Sequence, residues 1–183
     1  MSERFAVVTR WFLMPPTTAP RSTILIRFMA GSVFFWEGVM KFVFPATLGV
    51  GRFTKLGIPF PDVMASFVGC VEIVGGVLLI AGLLTRVIAV PLLIDMVVAV
   101  LTTKIPLYLG TYPLAPPPVA PQFGFWAVLH EIRSDEAQFL CTAFLLAVGA
   151  GPWALDAMLG RTRAAAAEAP ERHEPPLGHP VRG

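Results

Sequence analysis

The sequence predicts an all-α fold, a bundle of four transmembrane helices with a short interfacial helix before the fourth span. Three observations predict it. Val63 to Leu84 is a run of about 22 residues whose only charge is Glu72, long enough to cross a bilayer as a helix. Three more apolar stretches accompany it, at about Ile24–Phe44, Val87–Thr103 and Ala137–Leu155. Finally, 55% of the 183 residues are hydrophobic and only 14% charged, whereas a soluble domain carries about 25% charge. The length suits one compact domain, and a net charge of +2 does not suggest nucleic-acid binding.

The first span, Ile24–Phe44, is the least apolar. It holds Arg27, Glu37 and Lys41 among Phe28, Met29, Val33, Phe34, Phe35, Trp36 and Val39. No cleavable signal is expected ahead of it, because Pro15, Pro16 and Pro20 interrupt the amino-terminal segment. The second span, Val63–Leu84, is continuous. The third, Val87–Thr103, contains Pro91, which kinks it or sits in its first turn. The connection from Lys104 to Glu136 is rich in proline and should begin extended and irregular. Within it Phe125, Trp126, Leu129 and Ile132 fall near helical spacing, which predicts a short helix lying on the outer interface. The fourth span closes the bundle. The chain thus divides into a cytoplasmic segment at 1–23, a membrane domain at 24–159 and a tail at 160–183, expected to be disordered.

Arginine and lysine orient the bundle. Arg4, Arg10 and Arg21, Arg86 in the tight second turn, and Arg161, Arg163, Arg172 and Arg182 share one side of a four-span chain. Arg52, Lys55, Lys104 and Arg133 lie on the other. The positive-inside rule places both ends in the cytoplasm.

An ionisable group in mid-membrane costs at least ~2.5 kcal/mol on insertion scales and usually faces protein, water or a partner charge. Glu37 and Lys41, spaced i, i+4, share a helix face. Counted from the outer ends of their spans, Glu72 and Glu37 lie at depths matching within a few ångström. Lys41 can pair with either acid, which leaves one carboxylate over, and Asp95 could join them. The cluster reads either as a buried salt bridge that fixes which helix faces inward, or as a proton, quinone or substrate site where a spare buried acid is useful. Arg27, Arg86 and Asp156 are expected at the inner face, where Asp156 should pair with one of the two arginines. Gly31, Gly38, Gly75 and Gly76 read mainly as surfaces where helix backbones approach closely. Cys70 and Cys141 fall in the outer halves of their spans, where a disulfide or redox pair is permitted, although spans two and four need not touch. No CxxC or HExxH pattern occurs, His173 and His179 lie in the tail, and no metal site is expected.

These residues form an ordered set: Arg27 with Gly38-x-x-Lys41, Gly57-Ile-Pro59, Glu72-x-x-Gly75-Gly76 with Leu78 and Gly82, Thr85-Arg86, Glu136, and Gly151-Pro-Trp-Ala-Leu-Asp156. The set resembles the DoxX family from about Arg27 to Leu159. The long proline-rich loop and Glu37 depart from the family pattern. The resemblance implies a multi-pass bundle in a bacterial inner membrane, acting as a subunit or membrane scaffold of an oxidoreductase complex, quinone- or sulfur-linked. It also implies soluble redox or sulfur-transfer proteins as partners beside the lipid bilayer. The resemblance leaves homo-oligomers open and fixes no cofactor, quinone being the candidate. Two alternatives stand beside it: a small-solute or proton transporter, and a standalone membrane oxidoreductase, for which no complete catalytic set is visible.

Overall fold

The computed structural model describes residues 19–118 and 121–159. The amino-terminal segment before residue 19 and the tail from residue 160 lie outside the described residues, and with them the disorder expected there, His173 and His179.

The described residues are helical with no strand. Helix α1 is Thr23–Val43, α2 is Val50–Lys55, α3 is Pro61–Ala81 and α4 is Thr85–Ala99. A π-helical segment, Val100–Lys104, joins α4 to α5, Ile105–Leu109; α6 is Phe125–Glu131 and α7 is Arg133–Val148. Local chemistry sets these limits. Pro45 follows the end of α1, and Pro61 opens α3, where its missing N–H is no loss. Gly82 (φ 68°) ends α3 and Gly110 (φ 73°) ends α5, each in the left-handed conformation that glycine adopts freely.

Among the described residues three helices are long and apolar enough to cross a membrane: Thr23–Val43, Pro61–Ala81 and the continuous helix Thr85–Leu109. The third is longer than the Val87–Thr103 expected, because the chain stays helical through the π segment and past Pro106. Pro91 lies inside α4. In the widened turn the Thr102 and Thr103 hydroxyls donate to the Val98 and Ala99 carbonyls at 2.8 and 2.6 Å, satisfying acceptors where the regular ladder is disturbed. The fourth helix is shifted from Ala137–Leu155 to Arg133–Val148, 16 residues. Gly149, at φ 90°, breaks it ahead of Gly151 and Pro152, and residues 155–159 turn helical again. The short helix expected before the fourth span is present as α6.

Helices α1, α3, α4 and α7 form a ring: α1 packs on α3, α3 on α4, α4 on α7 and α7 on α1. Its centre is a buried apolar layer of Ala30, Phe34, Leu79, Leu92 and Leu145. The α1–α3 contact is the closest. A Cβ added at Gly31 would lie 2.6 Å from the Gly76 carbonyl oxygen, and one at Gly38 would lie 2.7 Å from that of Gly69. Gly31 with Gly38, and Gly69 with Gly76, each span two helical turns, so the antiparallel backbones touch at two levels. Gly75 instead faces the Leu92 and Ile88 side chains of α4.

Candidate functional site

Charged and polar side chains converge at two places. The first is inside the ring. Lys41, in the last turn of α1, reaches across the Gly38–Gly69 contact, and its Nζ donates to Oε2 of Glu72 at 2.5 Å. The close backbone approach makes this reach available. Both side chains are largely buried, and Glu72 is 3% exposed. Asp95, half-buried on α4, lies against the same carboxylate and feels the Lys41 charge. Three helices therefore bring together two carboxylates and one ammonium. Glu37 does not join the contact: it is exposed and makes no ion pair among the described residues. The i, i+4 spacing gave it access to Lys41, but the lysine turns inward to the deeper acid.

The second place is the end of the bundle where α3 turns into α4. The Arg27 guanidinium, 2% exposed, makes no ion pair among the described residues. Its Nε donates to the Leu79 carbonyl at 2.9 Å and one Nη donates to that of Ile80, both in the last turn of α3. The other Nη donates to the Trp153 and Ala150 carbonyls at 2.7 and 3.3 Å, in the segment that follows α7. Arg86 donates to the Ala147 carbonyl at 3.0 Å, at the end of α7. Asp156 accepts from the Leu84 and Thr85 amides at 3.0 and 3.3 Å, at the start of α4, while its own amide donates to the Gly82 carbonyl at 3.0 Å.

Each charge thus sits on the helix end whose partial charge opposes it: cations on carbonyl ends, the anion on an amide end. The three residues share one end of the bundle, and among the described residues Asp156 bonds to backbone amides in place of the ion pair expected for it. The reason is local. Leu84 is held at φ 51°, a conformation costing roughly 1–2 kcal/mol in a non-glycine residue, and the Asp156 bond to its amide offsets that strain.

At the opposite end Lys104 pairs with Asp135 at 2.9 Å and donates to the Glu131 carbonyl at 3.1 Å, tying the π segment to α6 and α7. Cys70 and Cys141 are both free. Cys70 is exposed on α3, whereas Cys141 on α7 lies 3.7 Å from the Met29 sulfur of α1. Helices α3 and α7 occupy diagonal corners of the ring, which keeps the two thiols apart. Among the described residues no group of three His, Cys, Asp or Glu is placed to hold a metal ion.

Sequence reading missed Gln138 and Thr142 on α7. Both are buried: Gln138 is 4% exposed and donates to the Ala30 carbonyl at 3.0 Å, while its Oε1 and the Thr142 hydroxyl have no partner among the described residues. Uncharged polar residues in a helix give no signal of depth. Their i, i+4 spacing on the face of Leu145 was the available clue.

Residues 22–105 match the DoxX family. An uncharacterized membrane protein, Rv3486 of Mycobacterium tuberculosis, is 44% identical over 151 residues, 82% of this chain and 89% of that protein. The chain belongs to the DoxX family. It is also similar to a protein of Bacillus subtilis named putative oxidoreductase CatD, 34% identical over 83 residues, 45% of this chain and 60% of that one. No solved structure matches. The DoxX match takes in Arg27, Lys41, Glu72, Arg86 and Asp95, and ends before Gln138, Thr142 and Asp156.

Proposed function

We propose that this DoxX protein is a membrane subunit or scaffold of an oxidoreductase complex, quinone- or sulfur-linked, and that its buried cluster exchanges the proton that accompanies electron transfer. The observation that carries this reading is the contact of Asp95 with the Lys41–Glu72 pair. Asp95 lies against the one carboxylate that Lys41 pairs with, inside the bundle, where an extra charge is expensive. A salt bridge serving packing alone needs one acid; the second is free to bind and release a proton. The oxidoreductase name of the Bacillus subtilis relative supports the redox assignment. In this reading the partners are soluble redox or sulfur-transfer proteins, and both ends of the chain face the cytoplasm of a bacterial inner membrane.

The test is gentle purification of the tagged full chain from its native membranes, with mass spectrometry of bound proteins and of extracted quinone. A redox enzyme retained in fixed ratio, with or without quinone, is the expected result. A chain that emerges alone and carries protons or a small solute across proteoliposomes is a transporter instead. One that emerges alone and oxidises a quinol unaided is a standalone enzyme.

A further inference from the structure

Helix α7 carries a second set of buried polar groups into the bundle, Gln138 and Thr142. Two contacts fix the register of the antiparallel α4–α7 pair: Arg86 on the Ala147 carbonyl at one end, and Lys104 on Asp135 at the other. Leu92 and Leu145 share one core layer between them, with Met96 and Cys141 packed against it. Asp95, about one turn beyond Leu92, and the segment Gln138–Thr142, one to two turns beyond Leu145, therefore lie on the same side of that layer, toward the Lys104–Asp135 pair. That segment carries two polar atoms, Gln138 Oε1 and Thr142 Oγ1, buried and without a hydrogen-bond partner among the described residues. Such atoms are rare in folded proteins, and when they cluster beside charges they are the usual lining of a buried water site.

We propose that Gln138 and Thr142 hold internal water beside Asp95, so that the acids of the cluster exchange protons through a hydrated site spanning α3, α4 and α7. This deepens the proton-exchange reading and rests on it. The Gln138 oxygen accepts from water, since its amide nitrogen is already committed to Ala30. The Thr142 hydroxyl both donates and accepts, and so can pass a proton's hydrogen-bond chain onward. Ionisable groups on the packed helices include Lys41 and exposed Glu37 on α1, Glu72 and exposed Cys70 on α3, Asp95 on α4 and Cys141 on α7; Arg27 and Arg86 lie toward the Gly82 end, and Asp62, Arg133 and Glu136 toward the other. The Lys104–Asp135 pair lies further along.

The test compares the full chain in lipid nanodiscs with Thr142→Val and Gln138→Leu. Infrared difference spectra between acid and alkaline buffer follow the carboxylic C=O band and the O–H stretch of internal water, with Asp95→Asn, Glu72→Gln and Cys141→Ser assigning the bands. The expected result is a titrating carboxylic band in the wild type. In Thr142→Val, which keeps the side-chain shape and should fold, the internal-water band is lost and the carboxylic band moves. If the wild-type band titrates but neither variant changes it or the water band, the α7 site is dry and this inference falls while proton exchange by the cluster stands. If no carboxylic band titrates in the wild type, the proton-exchange reading fails and this inference fails with it.

Discussion

Arg27 and Asp156 meet the same turn from opposite sides without pairing: Arg27 covers the carbonyl end of α3, and Asp156 covers the amide end of α4. The turn between, Gly82 to Leu84, has two residues in the left-handed conformation and is held by backbone bonds at each end. A charge-swapped chain, Arg27→Asp with Asp156→Arg, should therefore be no more stable than the worse of its single variants. A direct ion pair would instead recover stability on swapping. Thermal unfolding in detergent separates the outcomes.

Asp156 acts on two amides, so its oxygen matters as well as its charge. Asp156→Ala should cost ~1–2 kcal/mol, the usual worth of a helix cap. Asp156→Asn, which keeps one oxygen, should cost roughly half as much. Equal losses in the two would mean that charge alone matters.

Arg27→Lys is not a conservative change here. Its guanidinium reaches four carbonyls on two segments, and an ammonium on a flexible stem cannot span them. Hydrogen bonds from a charged donor are worth ~1.5–3 kcal/mol each, so losing even one or two should lower the melting temperature clearly. Retention of wild-type stability by the lysine variant would show that the fork geometry is dispensable.

The glycines divide into two kinds. Gly31→Ala or Gly76→Ala places a methyl against the opposing backbone and should cost ~1–3 kcal/mol by forcing α1 from α3. Gly75→Ala meets only the ends of Leu92 and Ile88, at 3.0 Å or more, and should cost less. Unfolding of the three variants in one detergent gives the order.

Much of this arrangement is readable from the chain, and the exceptions share a cause. Glu72 and Lys41 stand out because a charge in an apolar run must find a partner, and the i, i+4 rule put Glu37 beside the lysine. The rule describes one helix, however, and not which neighbour competes for the side chain. Gly69 passed unnoticed while Gly31, Gly38 and Gly76 did not, since only the packing register shows which glycine faces its opposite. The end of the fourth helix was written in the sequence: Gly149, Gly151 and Pro152 are strong stop signals, yet the apolar run to Leu155 overrode them. The role of Asp156 depends on which helix start is brought to it, a fact of tertiary structure alone.

Removing one partner of a buried pair typically costs ~3–5 kcal/mol because the other charge is stranded. Lys41→Met should therefore destabilise strongly, and adding Glu72→Gln should recover part of the loss. Glu37→Gln, at an exposed position, should change stability by no more than ~0.5 kcal/mol. Simple additivity of the Lys41 and Glu72 changes would mean that the two side chains do not interact.

The central claim is that the second acid serves chemistry rather than packing, and Asp95→Asn tests it most directly. The substitution keeps the shape and the Lys41–Glu72 pair. The measurement is electron transfer by the complex purified with this subunit, wild type against Asp95→Asn, at equal subunit content and equal melting temperature. The account predicts an intact complex whose turnover falls tenfold or more. An intact, equally stable complex that turns over at the wild-type rate would contradict it and leave the cluster a structural salt bridge.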